Sequence, residues 1–237
     1  MSLPINEQQK QLDDYKANNP QFAQWLNSLE KYSTENVSTP PTIRDAPVGV
    51  DAEGGIDWMQ SYFNRNEGNT CGQAAIAALL DFNKLNPWNL QRWNQGHWDD
   101  EEVIQRIIGD GFGPNVFFGV FGTNAGQITL ALQHYGLYSG FRYSPPFGSG
   151  DEQWTDVKNW VVNGHPVATL VDTGALGGNW WGAHWPIVHK VEGGQVWLAN
   201  WAHGWNSPVP EDAFFNAFHC WFLPYGFNYC YAVCQPQ

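Results

Sequence analysis

The segment from Gly68 to Leu80 contains the residue best suited to nucleophilic chemistry, Cys71. The segment reads Gly-Asn-Thr-Cys-Gly-Gln-Ala-Ala-Ile-Ala-Ala-Leu-Leu, a loop followed by strong helix formers. Asn69 or Thr70 is predicted to cap the helix with a side-chain oxygen, which places Cys71 in the first turn. The helix dipole there favours the thiolate, and Gly72 leaves the sulfur unshielded. The alternative interpretation is a small cysteine buried in an alanine-rich helix.

A base and a group to orient it occur together in the second half of the chain, as a cysteine nucleophile requires. His184 begins a predicted strand after a glycine-rich loop, and Asn200 ends the next strand, across the Gly193-Gly194 turn. Antiparallel strands joined by a tight turn bring their far ends together, so His184 and Asn200 are expected to be neighbours. An Asn carbonyl could accept the imidazole N–H. The alternative for His184 is a strand histidine satisfied by a backbone carbonyl.

The elements that must position these residues follow from hydrophobic periodicity and turn signals. Besides the cysteine helix, helices are predicted over residues 99–108, 123–135, 151–163 and from 207 or 208 to 218. Strands are predicted over residues 166–171, 184–191, 195–200, 221–223 and 228–233. Because helices come first and antiparallel strands follow, the chain is predicted to have an α+β fold with segregated layers.

The motifs, taken in order, resemble a known family. They are Asn69-Thr-Cys-Gly-Gln-Ala-Ala, Gly164-His-Pro-Val-Ala, Ala183-His-Trp-Pro-Ile-Val and Leu198-Ala-Asn-Trp, with Glu211-Asp-Ala-Phe-Phe as a further match. The set resembles the papain-like cysteine peptidases, specifically the bacteriocin-processing (double-glycine leader) peptidases and their stand-alone relatives. The resemblance implies a papain-like fold, in which a helical half carrying the Cys packs against an antiparallel sheet carrying His and Asn.

The resemblance also implies roles for individual residues. Cys71 and His184 would form a thiolate–imidazolium pair oriented by Asn200; papain uses Asn in this third role, whereas the bacteriocin-processing group mostly uses Asp. Relatives place a Gln six residues before the cysteine to donate to the oxyanion, and Arg65 stands at that position here. Arg65, a neighbouring Asn or the Cys71 amide would then be the donor. Losing one oxyanion donor typically costs about 100- to 1000-fold in rate, so this departure bears on peptidase efficiency more than on the fold.

Other candidate residues fit structural roles better. His189 follows His184 by five positions, so strand alternation points it to the opposite face. Cys220, Cys230 and Cys234 lie near the C-terminus and could hold one disulfide, remain free thiols, or bind zinc with His219. No Cys-x-x-Cys spacing supports zinc. The sequence therefore predicts no metal and no cofactor, and the acidic run at 99–102 is interpreted as a solvated helix start.

Composition limits the partners. The chain has 237 residues, 43% hydrophobic, with 14 Trp and a formal net charge of −12. So acidic a chain is not expected to bind nucleic acid or anionic membrane surfaces. No apolar run has the length of a membrane span, and residues 1–10 contain no signal-peptide core, so the chain is expected to be soluble, with its compartment unassigned.

Residues 1–55 are predicted to form a helical arm and linker, and residues 56–237 a papain-like cysteine hydrolase domain. The arm either packs as a structural extension or blocks the cleft. Trp-rich loops at 88–98 and 180–181 are expected to border that cleft.

The predicted function is hydrolysis of an amide bond in a peptide, a protein side chain or a cell-wall peptide through a thioester intermediate. Two alternatives remain open. One is a catalytically silent, Trp-rich binding module on the same fold. The other is a secreted effector or toxin that uses the triad for deamidation or acyl transfer.

Overall fold

The computed structural model of the protein describes most of the chain after residue 70. The described residues are 10, 13–14, 16–18, 20, 53–55, 70–90, 100–114, 123–144, 148–177, 182–200, 207–220 and 228–236. The few described residues between 10 and 20 are helical. No helix among the described residues is both long and apolar enough to cross a membrane.

The helices that follow residue 70 lie close to their predicted positions. They are α1 (Cys71–Phe82), α2 (Asp100–Ile107), α3 (Ala125–His134), α4 (Asp151–Val162) and α5 (Glu211–Phe218). Helix α3 begins with a reciprocal capping box, in which the Asn124 side chain accepts from the Gln127 amide at 2.9 Å and the Gln127 side chain accepts from the Asn124 amide at 3.1 Å. Helix α2 passes into a π-helical turn, Ile108–Phe112, in the predicted break.

The described strands form one larger sheet and one strand pair, and each pairing among them is antiparallel. They are β1 (Gly54–Gly55), β2 (Leu137–Arg142), β3 (Val167–Thr169), β4 (Val171–Asp172), β5 (Ala183–His184), β6 (Ile187–Glu192), β7 (Gln195–Ala199), β8 (Val209–Pro210) and β9 (Tyr231–Pro236). The described part of the larger sheet has the order β2-β9-β3-β6-β7-β8, with β1 also paired to β6, while β4 pairs with β5.

Alternating side chains of the sheet supply two separate cores. On β9, Tyr231 and Val233 face one core, whereas Ala232 and Cys234 face the other. Helices α1, α2 and α3 cover the face that carries Ala232, and α4 and α5 cover the opposite face. The sheet thus lies between two helical layers, and the helix bearing Cys71 is on one side of it.

The β6–β7 hairpin is closed by the predicted glycine turn. Gly193 and Gly194 have φ of +58° and +70°, the left-handed values that a two-residue hairpin turn requires. The register pairs Ile187 with Ala199, so the residues just before β6 lie beside the residue just after β7. His189 falls where the register shifts and is fully buried.

Several predicted elements differ from those observed. The strand expected over 166–171 is divided into β3 and β4, and the strand expected over 228–233 is observed as β9, Tyr231–Pro236. The strand expected over 184–191 is divided at Pro186, which has no N–H to donate; β5 pairs with β4, while β6 pairs with β3 and β7. The last helix begins at Glu211 rather than at 207 or 208, because Val209–Pro210 is strand β8 and pairs with β7. Strand β2 was not predicted and pairs along its whole length with β9. The predicted strand at 221–223 lies outside the described residues.

The predicted linker contributes a short strand to the sheet. Gly54 and Gly55 pair with Val191 and Lys190 on β6, and the Glu53 carboxylate accepts from the Gly193 amide at 3.1 Å. A side chain on Gly55 would lie 2.2 Å from the His189 carbonyl oxygen, so glycine is required for this close approach. The division of the chain at residue 55 stays a prediction.

Candidate active site

Cys71 is the first residue of α1, as its sequence context predicts. Thr70 occupies the N-cap position, but its side chain makes no capping hydrogen bond. The next ten residues of α1 are buried, whereas Cys71 is only partly buried. The helix is therefore fixed in the core while its first residue reaches the boundary between α1 and the sheet.

Gly72 is required for packing at the start of α1. A β-carbon at position 72 would lie 2.4 Å from Cβ of Thr123, so only glycine allows the start of α1 to contact Thr123. Gln73 strengthens the same contact, because its Nε2 donates to Thr123 Oγ1 at 2.6 Å and to the Phe112 carbonyl at 2.8 Å. The start of α1 is thus attached to the segment that precedes α3.

His184 is the last residue of β5 and is buried, with 8% of its surface exposed. Its Nε2 lies 2.5 Å from the backbone carbonyl oxygen of Asn200. Because a carbonyl can only accept, Nε2 carries the proton of the neutral ring, and Nδ1 is the nitrogen able to take up another proton.

Asn200 follows β7 and connects the other two residues. Its φ of +53° lies in the left-handed region, which Asn tolerates better than most residues. Its side-chain Nδ2 donates to the carbonyl oxygens of Trp185 at 2.5 Å and of Cys71 at 2.8 Å. These two acceptors fix the orientation of the amide and leave Oδ1 buried without a partner. His184 is therefore held by the Asn200 backbone, and the Asn200 side chain joins the sheet to α1.

Burial moves the pKa values of both Cys71 and His184 towards their neutral forms. It raises the pKa of the Cys71 thiol, and the polarity of the surrounding backbone at Trp185 and Gly72 opposes this rise to a smaller extent. It lowers the pKa of His184 to about 4, against a smaller opposing effect of the Asn200 carbonyl. At neutral pH these shifts favour a thiol and a neutral imidazole, which differs from the ion pair implied by the resemblance.

Several residues that were predicted to belong to the site lie outside the described part of the chain. Arg65, Trp180 and Trp181 lie outside the described residues, as does the 88–98 loop beyond residue 90. Trp88 is described; its Nε1 donates to Asp110 at 2.8 Å and its ring packs on Tyr135.

All four cysteines are free thiols, and Cys220, Cys230 and Cys234 are buried. Within the described ranges, no group of three His, Cys, Asp or Glu side chains could hold a metal ion.

Sequence reasoning missed Trp185 and Thr123. Trp185 is 1% exposed, its carbonyl accepts from Asn200, and its indole Nε1 donates to the Thr123 carbonyl at 2.8 Å. The sequence does contain one signal for Trp185: it lies between His184 and Pro186, and a residue before proline is restricted to extended backbone. The sequence identified Thr123 only as the first residue of the helix predicted over 123–135.

Comparisons with known proteins identify the fold. No family model matches the chain, and no curated protein matches it in sequence. Among solved structures, the chain is similar to a C39-like peptidase from Bacillus anthracis at 11% identity and a TM-score of 0.50, over 78% of this chain and 98% of that one. It is also similar to a double glycine motif protease from an AMS/PCAT transporter, in complex with the leader peptide, at 14% identity and a TM-score of 0.39, over 84% of this chain and 98% of that one.

The likeness to the first of these structures shows the fold. Helix α1 with Cys71 packs against antiparallel strands whose ends carry His184 and Asn200, as the resemblance implied. The chain therefore has an α+β, papain-like fold and resembles the C39-like peptidases.

Proposed function

We propose that the protein is a cysteine hydrolase that cleaves amide bonds, with Cys71 as nucleophile, His184 as base and Asn200 as the positioning residue. The observation that carries this proposal is the double contact of Asn200. Its backbone oxygen accepts from His184, and its side chain donates to the Cys71 carbonyl. One residue thereby contacts both the base and the helix of the nucleophile, and nucleophilic catalysis requires the base to lie close to the nucleophile and to be oriented by a third group.

The pKa shifts support general-base activation of the thiol. Burial favours neutral Cys71 and neutral His184 before substrate binds. His184 Nδ1 takes the thiol proton as the sulfur attacks the substrate carbonyl, and the carbonyl π electrons move to oxygen. The Asn200 carbonyl, bonded to Nε2, stabilises the imidazolium that forms.

The remaining steps regenerate the resting state. The tetrahedral intermediate collapses, the carbon–nitrogen bond breaks, and the imidazolium gives its proton to the leaving amine. Water then attacks the thioester with His184 as base; the carbon–sulfur bond breaks, and the proton returns to sulfur. The Cys71 amide and Arg65 are the proposed oxyanion donors.

The proposed substrate is a peptide or protein, including a cell-wall peptide. The peptidase name of the structural neighbour supports this class. The same thioester would allow acyl transfer if an amine replaced water, and deamidation if the substrate were a side-chain amide.

The test uses a digest of serum albumin as a mixture of peptides and follows new termini by mass spectrometry. We expect Cys71→Ala and His184→Ala to remain folded and to produce no new termini. Cys230→Ala and His134→Ala are the matched controls, since Cys230 is a second free thiol and His134 is exposed on α3. Cleavage by Cys71→Ala at the wild-type rate would contradict the proposed function.

A silent binding module is the second candidate, because burial raises the pKa of Cys71 and Arg65 replaces the expected Gln. Iodoacetamide labelling separates the two functions. A catalytic pair predicts that Cys71 alkylates more slowly in His184→Ala than in the wild type. Equal labelling rates, together with no cleavage of the peptide mixture, would support the binding module.

A further inference from the structure

Thr123 contacts both halves of the candidate site, although it lies outside the helix of the nucleophile and outside the sheet. Its carbonyl oxygen accepts from Trp185 Nε1 at 2.8 Å, and its Oγ1 accepts from Gln73 Nε2 at 2.6 Å. Its Cβ lies where a side chain on Gly72 would be. These three neighbours are the residue that follows the base and the two residues that follow the nucleophile.

The position of Thr123 is fixed by α3 and by burial. Thr123 directly precedes the capping box of Asn124 and Gln127, which begins α3, and only 6% of its surface is exposed. Helix α3 packs into the same core as α1 through Ile128 and Leu132. Thr123 is therefore a fixed point against which both halves of the site are held.

Asn200 provides a separate link between the same two halves. Its Nδ2 donates to the Cys71 carbonyl at 2.8 Å and to the Trp185 carbonyl at 2.5 Å. Trp185 is thus held twice, its carbonyl by Asn200 and its indole by Thr123. A link at one residue leaves two segments free to rotate about it, whereas a second link at another place fixes their relative orientation.

We infer that Thr123 is a positioning residue for the catalytic pair. It holds the first turn of α1 and Trp185 at a fixed separation. The adjacent His184 is thereby held at the distance from Cys71 at which Nδ1 can take the thiol proton. This inference rests on the proposed function, and it gives a role to a residue outside the proposed triad.

The physical reason is that proton transfer depends steeply on distance. A general base acts when it lies about 2.6–3.2 Å from the group whose proton it removes. A misplacement of about 1 Å can cost about 100-fold in rate. Loss of one hydrogen bond at Thr123 leaves the contacts of Asn200 in place, so the chain should still fold, with a base that is less well aligned.

The test uses the full chain and removes one contact of Thr123 at a time. Thr123→Val keeps the β-branched shape against Gly72 and removes the Oγ1 acceptor, whereas Thr123→Ser keeps the hydroxyl and is the rescue variant. Trp185→Phe removes the indole donor and leaves Thr123 unchanged. Thr129→Val is the matched control, because Thr129 is buried on α3 and its Oγ1 has no hydrogen-bond partner among the described residues.

The readout is the rate of iodoacetamide alkylation at Cys71, measured for each variant with His184 and again with His184→Ala. The three buried cysteines are internal controls. The ratio of the two rates is the acceleration due to His184. We expect this ratio to fall by about tenfold, or to one where the wild-type ratio is smaller, in Thr123→Val and in Trp185→Phe. It should keep the wild-type value in Thr129→Val and in Thr123→Ser. A merely structural role would lower the urea midpoint without changing the ratio.

The outcomes distinguish this inference from the proposed function. An unchanged ratio in Thr123→Val and Trp185→Phe, or an equal fall in Thr129→Val, would overturn the inference and leave the proposed function standing. If Thr123→Val does not fold, an unchanged ratio in Trp185→Phe would overturn it. A ratio of one in the wild type would overturn both. A selective fall without cleavage of the albumin peptides would support the inference, and the proposed hydrolysis would then fail alone.

Discussion

Burial of His184 makes the stability of the protein depend on pH in a predictable direction. The folded pKa is about 4, against an ordinary value of 6.5. As pH falls below 6.5, His184 binds a proton in the unfolded chain. In the folded chain it stays neutral until the pH approaches about 4. The stability is therefore fully present above the unfolded pKa and is lost as pH falls towards the folded pKa. A shift of this size corresponds to about 3 kcal/mol, a large share of the 5–15 kcal/mol that is typical of a domain.

The assay is urea unfolding of the wild type and His184→Gln at intervals from pH 7 to pH 4. His165 and His219 also have pKa values lowered by burial, so the wild-type curve alone does not isolate His184. The difference between the curves of the two proteins isolates the contribution of His184, because both proteins keep the other histidines. We expect the wild type to lose about 3 kcal/mol more than the variant over this range. His134→Gln, an exposed replacement, controls for the loss of an imidazole. Parallel curves for the wild type and His184→Gln would refute the reasoning.

Three further predictions concern the contacts that position the site and its sheet. Gly72→Ala should lower the free energy of unfolding by about 1–3 kcal/mol through overpacking against Thr123; urea unfolding measures this, and Thr123→Gly in the same chain should recover part of the loss. Asn124→Ala removes the capping box of α3 and should cost about 1 kcal/mol by the same assay, whereas an unchanged midpoint would contradict the cap. Asp156→Ala should lower the free energy of unfolding by about 1–3 kcal/mol, because Arg142, bonded at 2.6 Å, and the buried Tyr231 hydroxyl, at 2.9 Å, lose their shared acceptor. A loss smaller than the lower end of this range, measured by thermal unfolding, would contradict that role.

Local pattern was enough to predict most elements of the fold. Alanine-rich and amphipathic periodicity predicted α1, α3 and α4 close to their observed bounds, since a helix is specified by neighbouring residues. The Gly193-Gly194 turn predicted the β6–β7 hairpin, because its conformation is open mainly to glycine. Strand β2 was missed because the pairing that defines it comes from β9, almost a hundred residues later in the chain.

The sequence by itself determined which residues start the helix and end the hairpin, and so predicted that His184 and Asn200 would be neighbours. Tertiary structure decided which atoms meet. It placed the Asn200 backbone rather than its side chain on His184, put Thr123 against Gly72, and brought the Asn200 side chain to the Cys71 carbonyl. These contacts join segments separated by as many as 129 positions. That packing also buries Cys71 and His184 and thereby shifts their pKa values. The free-energy cost of a charge on either side chain depends on how much of the surrounding water has been replaced by protein, and the tertiary structure determines this.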